Sequence, residues 1–207
     1  MQNRTFSIYA TLLDSYLNYT TGKLSFEDLI GRINRKEFKP NEYMMKGTAF
    51  HKVTQGGFKL PTPSGGKYKV EFFEFPEVIV NEVIAFRQGG FDEVYCDKTI
   101  TYGPDNVYLY GYIDTKMPNE DIDIKTTGWY REMAFYKAMQ WRQYNFITGA
   151  KKFTYCVTDF NDVFYEEYAF NNDEENKYLS YVAGLVDFLK EYEYLITDKK
   201  IIRYETE

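Results

Sequence analysis

Residues 111–127 read GYIDTKMPNEDIDIKTT. Apolar and polar residues alternate on both sides of KMPNE, a segment that favours a turn, so the pattern predicts a β-hairpin. Residues two apart in a strand point to the same face; Asp123 and Lys125 therefore project together, whereas Ile124 faces the core. Asp114 ends the first strand, and the hairpin brings its carboxylate close to Asp123. The stretch predicts two carboxylates and one ammonium group at one edge of a sheet.

This predicted edge carries the groups that a hard cation binds. Two carboxylates, together with water and phosphate oxygens, form the ligand set that Mg²⁺ prefers. A cation bound there can activate a water molecule and neutralise charge on the phosphorus of a phosphodiester. Asp-x-Lys alone is common on exposed strands, so the assignment depends on the rest of the chain. Glu120 and Asp121 are kept apart from this group, because Asp121 shares the face of Asp123 but lies nearer to the turn and is expected to be solvated.

Further helices and strands are predicted on both sides of the hairpin strands, which cover 107–115 and 121–126. On the N-terminal side they are a helix over residues 6–17, a helix over 25–33 with Ser25 as its N-cap, a helix over 41–55 ended by Gly56 and Gly57, a loop over 60–67 (LPTPSGGK), a helix opened by Pro76 and closed by Gly89 and Gly90, and a strand over 92–102. On the C-terminal side they are a helix over 130–148, strands over 152–158 and 163–170, and a helix from Asn172 to about Tyr194.

This order of elements predicts an α/β fold with a mixed β-sheet flanked by α-helices. The length of 207 residues fits one domain with a core of its own. We expect a single domain over residues 1–207, with a helical N-terminal part over 1–60 and a catalytic core over about 76–195.

The stretch 111–127 resembles the core of the PD-(D/E)XK nuclease superfamily, and in particular its RecB-like exonuclease branch. That branch has Gly-x-x-Asp at a strand end, a short turn, and then Asp/Glu-x-Lys followed by Thr. The positions that match are Gly111, Asp114, Asp123, Lys125, Thr126 and Thr127.

Two flanking motifs extend the resemblance. The branch has Gly-x-x-x-His on an upstream helix, which Gly47 and His51 match, and Gln-x-x-x-Tyr on the helix after the lysine strand, which Gln140 and Tyr144 match. The first segment, TFSIYATLLDSYL, is also similar to the opening of the family, and the matches together span about residues 5–160. Each motif alone is weak; their order and their placement on the expected element types make the resemblance specific.

The resemblance implies a role for each matched position. The metal ligands would be His51, Asp114, Asp123 and the carbonyl of Ile124. Asp114 and Asp123 would also count as catalytic residues, beside Lys125, which would position the attacking water or stabilise charge on the phosphate. Gln140 and Tyr144 are four residues apart, on one helix face, and would orient Lys125 or the substrate strand. Glu93 could match a further acidic position of the branch.

The family also implies a fold and a reaction. The fold would be restriction-endonuclease-like, and the reaction would be hydrolysis of DNA phosphodiester bonds with Mg²⁺ or Mn²⁺. Exonuclease action on ends or single strands fits the branch better than sequence-specific cutting. One departure is that several relatives hold an iron–sulfur cluster with four cysteines, whereas this chain has only Cys96 and Cys156. We therefore expect a stand-alone nuclease without a cluster and without helicase motifs; by analogy alone it has phage or mobile-element character, with a place in DNA repair or recombination.

The net charge of −6 does not exclude DNA as the partner, because the charge is unevenly distributed. Residues 1–70 carry a balance of +6 and residues 124–158 one of +5, whereas 71–123 and 159–207 carry −9 and −8. Phosphate binding depends on the local field, and both positive segments hold candidate site residues or their flanks. A homo-oligomer or a helicase or recombination partner would suit processive relatives, but no feature of the sequence shows one.

The sequence also indicates where in the cell the protein is expected. No apolar run approaches the roughly 20 residues that span a bilayer, and the N-terminus lacks the pattern of a signal peptide. Cys96 and Cys156 lie apart in predicted strands, which is typical of reduced thiols. We expect a cytoplasmic protein without a membrane partner.

Two alternatives to a DNA nuclease remain. The chain could be a non-catalytic DNA-binding or complex-assembly protein with a nuclease-like fold, although a cluster of buried carboxylates without function would cost stability. It could also be a nuclease acting on RNA. Two aromatic residues bear on substrate binding: Trp129 and Trp141 could stack on unpaired bases, but we expect Trp141 to lie in the core.

Overall fold

The computed structural model describes residues 3–36, 39–55 and 61–204. The helices are α1 (Ala10–Thr20), α2 (Phe26–Ile33), α3 (Glu42–Thr54), α4 (Glu77–Phe86), α5 (Gln140–Thr148) and α6 (Asn172–Glu191), followed by a 3₁₀ turn at Glu193–Leu195. The strands are β1 (Arg4–Tyr9), β2 (Lys67–Val70), β3 (Phe73–Pro76), β4 (Phe91–Tyr102), β5 (Asp105–Lys116), β6 (Glu120–Thr126), β7 (Lys152–Thr158), β8 (Val163–Ala169) and β9 (Ile202–Tyr204).

Seven strands form one mixed sheet, and β2 and β3 form a separate hairpin. The main path runs β8-β7-β6-β5-β1-β9, with β4 paired to the other edge of β5. The pairs β1–β5 and β6–β7 are parallel, while β4–β5, β5–β6, β7–β8 and β1–β9 are antiparallel. Helices pack on this sheet, so the predicted α/β fold with a mixed, helix-flanked sheet is confirmed, as is the hairpin between β5 and β6.

Two hydrophobic cores lie on the sheet. The main core joins α1, α2, α5 and α6 to the central strands, with Leu109 and Trp141 among its fully buried residues. The second core joins α3, α4 and the β2–β3 hairpin to β6 through residues such as Phe50 and Ile124. Alternation along β6 sends Ile122 and Ile124 into the second core, which leaves the acidic positions on the other side of the strand.

The predicted helix over residues 6–17 is wrong at its start. Residues 4–9 form β1, which pairs in parallel with β5, and the helix begins only at Ala10. Phe6 and Ile8 are both fully buried in the main core, which is the two-residue period of a strand. The N-terminal part over 1–60 is therefore not purely helical.

The predicted helix over 130–148 is also shorter in the structure, where α5 begins at Gln140. The preceding residues form turns: Met133 has a φ of 58°, and the Glu166 carboxylate accepts hydrogen bonds from the backbone N–H groups of Ala134 and Phe135. A buried carboxylate from β8 thus satisfies N–H groups that a helix would have used internally.

Other boundaries are closer to prediction. Ser25 and Asn41 cap α2 and α3 through their side chains, as expected. Pro76 is the residue before α4 instead of its first residue, and the loop over 60–67 ends in the unpredicted β2–β3 hairpin. Gly56, Gly57 and Leu60 lie outside the described residues. In the described ranges, no helix combines the length and apolar character needed to cross a membrane.

Candidate active site

The structure brings most of the predicted site residues together where β5 and β6 separate. The two strands pair only at Thr115–Ile122 and Lys116–Asp121. One residue before that ladder, the Asp114 side chain takes over the role of a strand partner, because its Oδ2 accepts a 2.8 Å hydrogen bond from the backbone N–H of Ile124. The diverging strands thus create the space in which Asp114 faces β6.

His51 approaches Asp114 from the last turn of α3. Its Nδ1 lies 3.5 Å from Asp114 Oδ2. The close approach of α3 depends on Gly47, because a Cβ at that position would lie 2.8 Å from Thr126 Oγ1 at the end of β6. The Gly-x-x-x-His spacing therefore has a physical reason: the glycine lets the helix touch the strand, and the histidine one turn later reaches the carboxylate.

Asp123 is 3% exposed and is held from two sides. Its Oδ1 accepts a 2.6 Å hydrogen bond from Gln140 Nε2, and its Oδ2 lies 2.7 Å from Lys125 Nζ. Oδ2 is nevertheless not aligned for a hydrogen bond with any group in the described residues. A buried carboxylate oxygen without a hydrogen bond is costly, and it is the kind of atom that a cation would satisfy.

The electrostatics of the site favour an added positive charge. Burial, followed by the nearby charge of Asp123, raises the pKa of Asp114 well above its usual range. Burial lowers the pKa of His51, although the Asp123 charge and a backbone hydrogen bond at Ile124 oppose this. The imidazole is therefore neutral near pH 7, which is its metal-binding form.

Tyr144 packs behind the candidate site residues, on the side of the protein interior. A Cβ on Gly111 would lie 2.6 Å from Cε1 of Tyr144, so the missing side chain of β5 makes room for the ring. Burial is the largest cause that raises the pKa of the Tyr144 hydroxyl, and a hydrogen bond with Gln140 opposes it. Because Tyr144 is buried, it is placed to position Gln140 instead of contacting a substrate strand.

The face alternation of β5 breaks at Asp114. Ile113 packs in the main core, whereas the Thr115 hydroxyl accepts a hydrogen bond from Arg87 Nε, next to α4. In a regular strand both residues would face the same side. Glu93, between the paired rows Asp92–Thr115 and Val94–Ile113, has a φ of 51°, so β4 is distorted at the same level. Asp114 thus lies at the junction of the two cores.

Asp121 differs from its prediction as a solvated acid. It is 0% exposed, pairs with Lys116 Nζ at 2.7 Å and accepts a 2.6 Å hydrogen bond from Thr148 Oγ1. The C-terminal end of α5 covers Asp121. The position of Asp121 near the turn of the hairpin gives no indication of this contact. Trp141 lies in the core as expected, while Trp129 is exposed.

Sequence reasoning missed two supporting residues. Asp14 Oδ1 accepts a 2.6 Å hydrogen bond from the N–H of Met139, directly before Gln140, and so fixes the start of α5. The buried Arg87 donates to the carbonyl of Asp114 at 3.4 Å and pairs with Asp92. No local sequence pattern points to Asp14. The only pattern that points to Arg87 is its position directly after an apolar helix.

The side chains gathered here are of the chemical types that a hard divalent cation binds. They are a neutral imidazole and two carboxylates, one of which has a buried oxygen lacking a hydrogen bond. As the side chains stand, no three or more His, Cys, Asp or Glu residues within residues 3–36, 39–55 and 61–204 already form a metal cage. Gln140 and Lys125 occupy the vicinity of Asp123 instead.

Comparison with known proteins identifies solved structures that share this fold. No protein-family model and no curated protein matches the sequence. Among solved structures, the alkaline exonuclease LHK-Exo from Laribacter hongkongensis, in complex with dAMP, is similar with a TM-score of 0.55 and 14% identity over 91% of this chain and 90% of its own. A protein from Eubacterium rectale, named as a candidate exonuclease, is similar with a TM-score of 0.57 and 14% identity over 94% of this chain and 83% of its own. A third protein, SSO0001, has a TM-score of 0.54 and 15% identity over 88% of this chain and 76% of its own. This chain shares the fold of these three proteins.

Proposed function

We propose that this chain is a divalent-metal-dependent nuclease that hydrolyses DNA phosphodiester bonds, acting as an exonuclease on ends or single strands. The observation that carries the proposal is the buried Asp123 carboxylate: Gln140 holds one oxygen, and the other lies 2.7 Å from Lys125 Nζ without a hydrogen bond. The exonuclease fold of the similar structures supports it, and the dAMP in the LHK-Exo complex favours a deoxynucleotide substrate.

Four groups would hold the metal: the carboxylates of Asp114 and Asp123, the imidazole of His51 and the carbonyl of Ile124. When bound, Mg²⁺ or Mn²⁺ would supply Lewis-acid chemistry, lowering the pKa of a water and neutralising phosphate charge. The raised pKa of Asp114 fits this assignment, because a cation would relieve the repulsion between two buried carboxylates.

The chain's own residues would do the remaining work. Lys125 lies 2.7 Å from Asp123 Oδ2, and its side chain is partly exposed, so its ammonium can reach a phosphate oxygen or a water at the site. Gln140 holds Asp123 in one orientation, and Asp14 fixes the N–H directly before Gln140. His51, kept neutral by burial, would complete the ligand set from α3.

The test is cleavage of linear and circular DNA, single- and double-stranded, and of RNA, in Mn²⁺, Mg²⁺ and EDTA. Asp123→Ala is the inactive variant, and Asp173→Ala, at the exposed start of α6, is the matched control. Loss of linear DNA alone, abolished by EDTA and by Asp123→Ala only, supports a metal-dependent exonuclease.

Other outcomes would redirect the proposal. Cutting of circles would place the protein among endonucleases, and cutting of RNA alone would change the substrate. No cleavage, with DNA still bound, would favour the non-catalytic binding protein. A thermal shift with Mn²⁺ that is lost in Asp123→Ala would separate metal binding from turnover.

A further inference from the structure

Tyrosines occupy alternate positions of β5 up to the candidate site. Tyr108, Tyr110 and Tyr112 precede Asp114 at two-residue steps, and the intervening Val107 and Leu109 are buried in the main core. Residues at such steps share a strand face, so these three rings lie opposite the core. The step from Tyr112 to Asp114 is roughly 7 Å along the strand.

Neighbouring strands extend this row into a surface. The rings of Tyr108 and Tyr110 are stacked at 5.5 Å, Tyr9 of β1 lies 5.9 Å from Tyr110, and Tyr95 of β4 lies 5.1 Å from Tyr112. The hydroxyls of Tyr95 and Tyr108 are hydrogen-bonded at 2.6 Å. We name this five-ring surface the tyrosine face (Tyr9, Tyr95, Tyr108, Tyr110 and Tyr112).

The end of the tyrosine face nearest to Asp114 is open to solvent. Tyr112 is 62% exposed and Tyr95 is 44% exposed, and they are paired across the β4–β5 ladder. Adjacent exposed aromatic rings on a sheet are a recurrent platform for unpaired bases, because every base has a π-face that can stack. Bases inside a duplex are already stacked on each other and cannot use such a platform.

Cations flank the tyrosine face at its other end. The Arg35 guanidinium lies 5.4 Å from the Tyr9 ring and donates a 3.2 Å hydrogen bond to the Tyr110 hydroxyl, while also pairing with Asp198. The Arg203 guanidinium lies 5.4 Å from the Tyr108 ring. A surface that binds a single strand combines aromatic rings, which stack on bases, with positively charged groups, which bind phosphates.

We propose that the tyrosine face binds a single strand of DNA by stacking unpaired bases on Tyr95 and Tyr112, next to the phosphate to be cleaved. This inference rests on the proposed nuclease function and specifies its substrate as a single strand. The continuity of the rings with Asp114 on β5 argues for this occupant over a protein partner.

The experiment measures binding apart from cleavage. Fluorescence anisotropy with a labelled oligothymidylate and with a duplex of equal length, both in EDTA, gives the two dissociation constants. The variants are Tyr112→Leu, Tyr95→Leu and the ring-preserving Tyr112→Phe. Tyr165→Leu is the control, because Tyr165 is 41% exposed but lies on β8, at the far edge of the sheet. Thermal melting verifies that each variant is folded.

We expect each leucine variant of the tyrosine face to weaken oligothymidylate binding about 10-fold or more and duplex binding less than about 2-fold. Tyr112→Phe and Tyr165→Leu should bind as the wild type does. Unchanged binding in both leucine variants, equal weakening for single strand and duplex, or absence of single-strand binding by the wild type would overturn the proposal. Cleavage by the wild type, assayed separately in Mn²⁺, reports on the proposed function, so the two failures are distinguishable.

Discussion

The Tyr144 ring occupies the space where Gly111 lacks a side chain: a Cβ there would lie 2.6 Å from Cε1 of the ring. Gly111 precedes Asp114 on β5, and Tyr144 follows Gln140 by one helical turn on α5. Gln140 in turn holds Asp123 through a 2.6 Å hydrogen bond. The contact between β5 and α5 therefore links the strand that carries Asp114 to the helix that holds Asp123.

Substitution of Gly111 by Ala should disturb this arrangement. The added methyl group must push Tyr144 and α5 away from β5, so we expect the free energy of unfolding to fall by about 1–3 kcal/mol. Cleavage should fall on the order of 100-fold, because Gln140 moves with the helix. Chemical denaturation and a cleavage assay measure the two effects. Gly128→Ala is the matched control, since a Cβ there meets nothing within 4 Å; equal behaviour of the two variants would contradict the prediction.

Gly47→Ala should move α3 away from β6. The new Cβ would lie 2.8 Å from Thr126 Oγ1, so the helix that carries His51 has to shift. We expect weaker stabilisation by Mn²⁺ in thermal melting. Removal of the opposing oxygen in the double variant Gly47→Ala/Thr126→Ala should restore most of that stabilisation, as a double-mutant cycle would show. If the double variant binds Mn²⁺ no better than Gly47→Ala, the close contact is not the cause.

Asp121 and Asp123 lie on the same strand, but substitution by Asn should affect stability at the first position and cleavage at the second. Asp121 is fully buried between Lys116 and Thr148, so Asp121→Asn should lower the free energy of unfolding by about 1–3 kcal/mol and leave residual cleavage in the folded fraction. Asp123→Asn relieves repulsion with Asp114 but also removes the ion pair with Lys125, so we expect roughly unchanged stability in EDTA and a loss of cleavage on the order of 1000-fold. Denaturation curves and initial rates, taken on both variants, distinguish the roles; a destabilised Asp123→Asn that still cleaves DNA would reverse the assignment.

Asp14 should make stability depend on pH. Burial, opposed by the Met139 N–H and the charges of Lys125 and Arg142, raises the pKa of Asp14 to about 6. Because this folded-state pKa exceeds the unfolded value of about 3.9, the folded state binds more protons between those values, and stability falls as pH rises from about 4 to 6. Above pH 6 the charged carboxylate costs at most about 3 kcal/mol, the product of about 2 pH units and 1.36 kcal/mol per unit.

Asp14→Asn removes this titration but keeps an acceptor for Met139. The variant should therefore be more stable than the wild type at pH 8, with a difference that shrinks towards pH 4. Thermal melting at pH 4, 6 and 8 measures it. A constant difference across this range would show that Asp14 is not the titrating group.

Several parts of the site are predictable because they depend on residues that are close together in the sequence. The alternation around Asp123 places the carboxylate and Lys125 on one side of β6, and the turn after Lys116 makes the hairpin that brings Asp114 near. The caps at Ser25 and Asn41 are equally local. The family resemblance points to His51 and Gln140, and the structure places His51 beside Asp114 and Gln140 in a hydrogen bond with Asp123.

Other features depend on partners far away in the chain, and no local pattern predicts them. Residues 4–9 have an apolar spacing compatible with a helix, but pairing with β5, about a hundred residues later, makes them a strand. Glu166 of β8 prevents a helix before Gln140 by binding the N–H groups of Ala134 and Phe135. The burial of Asp121 likewise comes from α5.

The order of residues along the chain therefore suffices for the hairpin and the caps, since each follows from neighbours within a few residues, while the candidate ligands are those that the family resemblance implies. The tertiary structure alone decides what surrounds each acid: Asp121 meets Lys116 and Thr148 under the end of α5, whereas Asp123 lies between Gln140 and Lys125 and keeps one oxygen without a hydrogen bond. It also decides that Tyr112, two residues before Asp114 on β5, remains exposed. The physical reason is that burial, and with it the cost of an unmatched charge, depends on elements that only folding brings together.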